Sequence, residues 1–429
     1  MKSAHAQAAS IPALRPWQLV WLAAAILVIS AGYGALLPQW QGWLAVLNPG
    51  ITATAVSRHI GFLSGMYTAG VLVGAPLWGV LADRIGLGRV LIIGLVGYVA
   101  SLLAMLVPEF ETLWGIYALR ATTGFFVAAV VPVVSALVAE HTPESQRARR
   151  FAWLGAMSLL GFLFGPALNI VARGAGSWVD DGVTSAALTA QAVIVLSAIL
   201  GAVMMLGLAR TLPERIVARV AEAKEGRSVK TDRAALLWLS GAVTFVLAAF
   251  ELGMVLQGQL HIGTSPREVA MMFGECALAM LAVNALLFFT SLLDKVPARR
   301  VVLIGLVLAI VGLAVLAFHH SNAWMYAGIS FTSIGTGLIL PVIAYRAAGA
   351  SRGRLGTTMG GLAAVAGLGQ TLGAAAGGWL FGAVAQISFA WLAVPLVGIF
   401  AILLTRPAWG SAVPYGSRSR SLRRSAMPS

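Results

Sequence analysis

The chain has 429 residues, of which 59% are hydrophobic and 10% charged, against roughly 25% charged residues in an ordinary soluble domain. With a mean hydropathy of +0.88, that balance excludes a soluble globular protein and predicts a polytopic helical membrane protein. The net charge of +14 would raise nucleic acid as a partner of a soluble chain. Here the basic residues fall in short segments between apolar runs, so no nucleic-acid partner is expected. A single thiol, Cys276, excludes an internal disulfide framework, and no CxxC, HExxH or P-loop pattern occurs, so neither a metal site nor a resident cofactor is expected.

Predominantly apolar runs lie at residues 17–37, 63–82, 90–107, 113–139, 151–171, 187–208, 234–256, 269–293, 301–318, 324–347, 357–381 and 388–405. A helix of about 20 residues crosses the hydrocarbon core of a bilayer, so the pattern predicts twelve transmembrane helices. The first run is too long for a signal-peptide core and no cleavage site follows it, so it reads as an uncleaved span. With the N-terminus inside, 25 Lys and Arg residues fall on the cytoplasmic side. Only Arg58, Arg173 and Arg267 fall on the other. Basic residues near span ends resist translocation, which places both termini in the cytoplasm.

The chain divides into a cytoplasmic N-terminal tail (1–16), a first six-helix bundle (17–208), a cytoplasmic linker (209–233), a second six-helix bundle (234–405) and a basic C-terminal tail (406–429). Within the linker, Pro213 and Glu214 either open a short surface helix with Ile216, Val217 and Val220 on one face, or belong to a solvated connection. The tail, rich in Ser and Arg, reads as disordered or lying on anionic lipid.

The halves repeat each other. Asp83, Arg84 and Arg89 after the second run are matched by Asp294, Lys295 and Arg300 after the eighth, 211 residues later. Parallel repeats of this size predict an all-α protein of two pseudo-symmetric six-helix bundles around a central cavity. Gly161 and Gly165, with Pro166 beside them, clear a strip for close helix approach and permit a bend in run five. Gly373 and Gly377 repeat the spacing 212 residues on, so the two helices should pack alike.

Three motifs carry a family resemblance. Gly79-Val80-Leu81-Ala82-Asp83-Arg84-Ile85-Gly86 resembles the signature between the second and third helices of the major facilitator superfamily, although Leu87-Gly88 stand where basic residues are often found. Leu119-Arg120-Ala121-Thr122-Thr123-Gly124 in run four resembles a second element of that family. Gly161-Phe162-Leu163-Phe164-Gly165-Pro166 resembles the Gly-Pro element of its drug:proton antiporter branch, and departs from it at Asn169-Ile170. The resemblance implies alternating access, a lock between the halves at Asp83, and a role for Arg120 in proton coupling. It implies proton-coupled efflux of a small lipophilic compound or drug by a multi-pass protein of a bacterial-type inner membrane, acting as a monomer. Proton-coupled uptake of a small metabolite is the alternative, and a non-transporting membrane sensor or scaffold a remote one. No nucleophile-base pair is visible, so an enzyme is not expected.

Ionisable residues inside spans are expensive and are functional candidates by default. They are Arg120, Glu251, Glu275 and, at the inner end of run ten, Arg346. Apolar neighbours of Glu251 disfavour its charged form, which suits a proton carrier, and Ser240 and Thr244 lie close to the same helix face. Arg120 needs a carboxylate, a carbonyl or water; whether it pairs with Glu251, with Glu275 or with neither stays open. Asp83 has three routes: pairing with Arg84 or Arg89, or capping the helix that starts at Gly356-Thr357-Thr358. Ser265-Pro266-Arg267-Glu268 reads as a helix start. Tyr33, Asn169, Gln370 and the Ser330 to Thr336 stretch are cavity candidates. His319 and His320 are expected in solvent, and Trp40, Trp43 and Trp324 in the interfacial aromatic belt.

Overall fold

The computed structural model describes residues 14–36, 39–40, 43–44, 50, 53–110, 112–177, 186–212, 227–260, 266–290, 292, 296–351 and 354–405. The α-helices among them are α1 (Pro16–Leu36), α2 (Ala53–Ile85), α3 (Leu87–Ala104), α4 (Leu113–Val127), α5 (Val131–Glu140), α6 (Glu144–Ser177), α7 (Ala186–Thr211), α8 (Arg227–Leu260), α9 (Pro266–Phe289), α10 (Ala298–Phe318), α11 (Asn322–Gly349), α12 (Leu355–Val384) and α13 (Ser388–Thr405). No β-strand occurs among the described residues. Eleven spans, α4 and α5 counting as one, are long and apolar enough to cross a membrane; α6, bent by 43° between Gly165 and Ala167, makes the twelfth. The protein is an all-α membrane protein. The expected linker helix at 213–220 and the tail from 406 lie outside the described residues.

Local chemistry sets the helix starts. Pro16 and Pro266 are the first residues of α1 and α9, where a missing amide proton costs nothing. Thr112 caps α4 by accepting from the Gly115 amide at 3.1 Å. Gly86 joins α2 to α3 with φ 100°, a backbone state that side-chain-bearing residues avoid.

The run 113–139, expected as one helix, is two. Pro132 lacks an amide proton, and its ring collides with the carbonyl four residues back, that of Ala128. Ala128, Ala129 and Val130 therefore form a turn, their amides bonding the Gly124, Phe126 and Val127 carbonyls. The turn diverts the Ala129 amide from the Phe125 carbonyl, and the Trp78 indole of α2 donates to that carbonyl at 2.8 Å instead.

Helix pairing follows the internal repeat. In the first half α1 packs on α6 and α7, α2 on α4, and α3 on α4 and α7. In the second half α8 packs on α12 and α13, α9 on α11, and α10 on α11 and α13. The second set is the first advanced by six spans. Lipid removes most of the hydrophobic incentive for helices to associate, leaving close packing and interhelical hydrogen bonds to hold them. Gly161 and Gly165 accordingly lie against Leu27, Gly34 and Ala35 of α1, and Gly373 and Gly377 against Phe245 and Ala249 of α8. The two helices pack alike, as the repeat predicts.

The halves meet most extensively where α2 crosses α12 and where α6 crosses α9, two contacts that the same symmetry exchanges. At the first, Gly79 faces Gly356 and Gly360. At the second, Trp153 stacks on Phe288 with centroids 6.4 Å apart, and the Arg149 guanidinium lies 4.7 Å from the Phe288 ring. Both contacts lie at the end of the molecule that carries the turn at Gly86.

Candidate transport site and latch

Arg120 lies two turns into α4 and is 2% exposed. Its guanidinium carbon sits 5.6 Å from the Tyr33 ring, 5.2 Å from Trp40 and 4.7 Å from Tyr67. It makes no hydrogen bond or ion pair among the described residues, and Nε is sealed off without a partner. The question left open by the sequence is answered: Arg120 pairs with neither Glu251 nor Glu275. Cation–π contacts contribute up to about 2 kcal/mol when desolvated, but they leave the N–H donors unused. The cage is built by close backbone approach, with Gly70 of α2 against Ala121 and Gly124 of α4 against Tyr67. Trp40 and Trp43, expected in the interfacial belt, are buried and stacked at 5.5 Å, because Trp40 is a wall of this cage. Trp324 is exposed.

In the other half, Glu251 of α8 is half-buried. No hydrogen bond reaches its carboxylate among the described residues. Glu275 of α9 is tied differently: Oε1 accepts from the Ser330 hydroxyl of α11 at 2.5 Å, while Oε2 is sealed without a partner. One turn on, the Ser333 hydroxyl donates to Cys276 Sγ at 3.0 Å. The remaining hydroxyls of that stretch, Thr332 and Thr336, return to carbonyls of their own helix, and Thr244 returns to that of Ser240. These hydroxyls are bonded within their own helices.

At the end where the halves meet, Asp83 Oδ1 accepts from the Gly356 amide and Oδ2 from the Thr357 amide, both at 2.8 Å. Thr357 Oγ1 donates to the same Oδ2. The carboxylate thus sits on the first turn of α12, satisfying orphan amides and the positive end of the helix dipole. Of the three routes open to Asp83, capping is the one taken. Arg84 and Arg89 are exposed, as is Arg300; Asp294 and Lys295 lie outside the described residues. The close approach beneath is strict: a Cβ on Gly360 would meet the Ala75 carbonyl and lie 3.0 Å from the Gly79 Cα. Gly360→Val is therefore expected to part α2 from α12 and to leave protein that inserts normally but transports at least about tenfold more slowly, measured as substrate flux per folded molecule.

Asn169 bonds to the chain around α1. It is buried, accepting from Gln39 Nε2 at 2.8 Å and donating to the Ala35 carbonyl of α1 at 3.0 Å. It joins α6 to that segment, as an amide in a membrane helix finds partners on its neighbour. Asn169→Leu should lower stability by about 1–2 kcal/mol, read as a shift of the thermal midpoint in detergent. Gln370 is exposed on α12, and Tyr33 is half-buried against Tyr67 at 4.9 Å. His319, expected in solvent, is buried; Nδ1 contacts the Leu316 carbonyl at 2.8 Å and Gln386 Nε2 at 2.8 Å. The short loop is drawn under the end of α12.

The sequence alone did not single out Tyr67, Gln39 or Ser330 as the partner of Glu275. The available signal was weak, an aromatic or hydroxyl residue in the middle of an apolar run, and which residue it faces depends on how the helices pack.

The profile of the Major Facilitator Superfamily matches residues 22–287 and 259–424. The chain belongs to that superfamily, a family of transporters and not of enzymes. Among its relatives it is 27% identical over 374 residues to the class G tetracycline resistance protein of Vibrio anguillarum, covering 81% of this chain and 88% of that protein. The class B tetracycline resistance protein of Escherichia coli is 32% identical over 143 residues, which are 33% of this chain and 34% of that protein. Among solved structures, the human organic anion transporter MFSD10 superposes with a TM-score of 0.71 at 19% identity, over 91% of this chain and 100% of that one.

Proposed function

We propose that this protein exports a small lipophilic compound in exchange for protons, by alternating access, from the cytoplasm of a bacterial cell. It acts as a monomer in the inner membrane with both termini inside, as the distribution of basic residues supports. The observation that carries the reading is a buried guanidinium on α4, caged by Tyr33, Trp40 and Tyr67, in a chain whose second half carries a carboxylate inside α8. Glu251 takes up a proton from outside and gives it up inside. Arg120 keeps the local field positive enough for the deprotonated form to return. Asp83 holds the cytoplasmic ends of α2 and α12 together while the site faces outward. Release of that carboxylate from the α12 start opens the inner side. Gly161, Gly165 and the bend at Pro166 give α6 its path against α1 during the exchange. The kinship to tetracycline resistance proteins supports drug-like cargo.

The test uses energised everted vesicles with a pH-sensitive dye and a panel of lipophilic cations, zwitterions, neutral drugs and small metabolites. A compound that collapses the gradient with the wild type and not with Glu251→Gln is expected. If no compound moves protons, the export reading is wrong and uptake of a metabolite takes its place.

A further inference from the structure

The crossing of α6 and α9 buries a polar atom that nothing satisfies among the described residues. Asn284 of α9 is 3% exposed, and its Nδ2 donates to the Met280 carbonyl one turn back at 2.9 Å. Its Oδ1 is sealed without a hydrogen-bond partner. Because that carbonyl can only accept, the nitrogen must face it. The oxygen is left toward Gly155 of α6, where a β-carbon would lie 2.9 Å from it. Asn169 shows the ordinary outcome for such an amide, with partners for both of its ends on the chain around α1. Asn284 reaches the opposite half of the molecule and finds no donor there. The positions related to this pair by the repeat are Val73 and Gly367. Neither carries a polar side-chain atom, so the orphaned oxygen is not a product of the symmetry.

We infer that Asn284 is a gating residue whose orphaned oxygen loosens the closed crossing of α6 and α9 and so opposes the latch at Asp83. The penalty of a dry, unpaired carbonyl oxygen exists only while the two helices are in contact. When they part, the oxygen is free to accept from water, and the penalty ends. The two main crossings between the halves therefore act in opposite directions. Asp83 accepts from three donors on α12, which favours closure, whereas Asn284 favours release. A carrier needs both, since closure without a counterweight would hold it in one state. Gly155 sets the strength of the effect. It lets α6 approach until the oxygen is dry, and a side chain there would push on Asn284 directly. The inference rests on alternating access, and on neither the direction of transport nor the proton.

The experiment measures distances by pulsed electron spin resonance on the full-length protein in lipid nanodiscs. Spin labels sit at Gln146 and Arg300, both exposed, in the wild-type and Asp83→Asn backgrounds. In a background that populates both states, Asn284→Leu removes the polar atom and keeps the branched shape. It is expected to shift the ratio toward the short distance about tenfold. Asn284→Ala, which adds no bulk and carries the test if the Leu variant does not fold, should shift it the same way by a smaller factor. Gly155→Ala should shift the ratio toward the long distance, and adding Asn284→Ala to it should bring the ratio back. A merely structural role would lower the thermal midpoint of these variants and leave the ratio alone. An unmoved ratio in both Asn284 variants overturns the inference, and so does a shift toward the long distance. Alternating access fails separately: if a single short distance persists in the wild type, in Asp83→Asn and in Gly155→Ala alike, opening at these crossings falls first and the inference with it.

Discussion

Replacing Glu251 by Gln is expected to abolish substrate-induced proton movement, lowering coupled flux at least about 100-fold, while exchange of labelled for unlabelled substrate at saturating concentration continues. The amide matches the carboxylate in size and cannot take up or release a proton. The exchange is close to isosteric, so the loss is expected in coupling, and the amount of folded protein in the membrane is measured beside it. Glu275→Gln provides the contrast. Its amide oxygen can still accept from Ser330, the partner of the native Oε1, and a reduction of only about threefold is expected. Parallel dye and exchange assays on the two variants decide the matter. Normal gradient collapse with Glu251→Gln would move the proton site elsewhere.

Asp83→Asn is expected to shift the protein away from the state in which α2 and α12 are closed on each other. The carboxylate accepts from two amides and one hydroxyl of the first turn of α12. Each hydrogen bond to a charged group contributes about 1.5–3 kcal/mol, and a charge on a helix start about 0.3–1 kcal/mol. An Asn keeps one acceptor and loses the charge, so a shift of about 2–4 kcal/mol is expected, enough to convert a minor open state into the major one. Spin labels at Arg84 and Arg354, both exposed, would report it as a longer distance across the gap. The only native thiol, Cys276, is buried, so few changes are needed before labelling. An unchanged distance distribution in Asp83→Asn would remove the latch from the mechanism. Asp83→Glu, with the charge kept on a longer arm, should fall between the two.

Hydropathy alone located the spans, because a run of about 20 apolar residues has no stable place outside a bilayer. It hid the break between α4 and α5, where composition stays apolar and only Pro132 marks the turn. The latch was legible because both of its parts are local signals: a carboxylate where one helix leaves the membrane, and small residues that open another. The cage around Arg120 was not. Tyr33, Trp40 and Tyr67 are 87, 80 and 53 residues from it in sequence, and only the glycine-mediated crossing of α2 and α4 brings Tyr67 to it. Trp40 was misplaced for a related reason. Residue type indicates which partners a side chain seeks, whereas the packing of neighbouring helices decides where it finds them.

The partners of Asp83 are two main-chain amides and a hydroxyl on the same turn, so the receiving half of the latch depends mainly on a helix beginning at that place. Substitutions in the first turn of α12 that keep the helix and add no bulk at Gly356 or Gly360 leave both amides in position. Hybrid proteins joining residues 1–212 to the second half of another superfamily member should therefore still close at this end, even where the two parents share few residues. Their failures should come from Arg120 with its aromatic cage and from Glu251, which lie in different halves and would come from different parents.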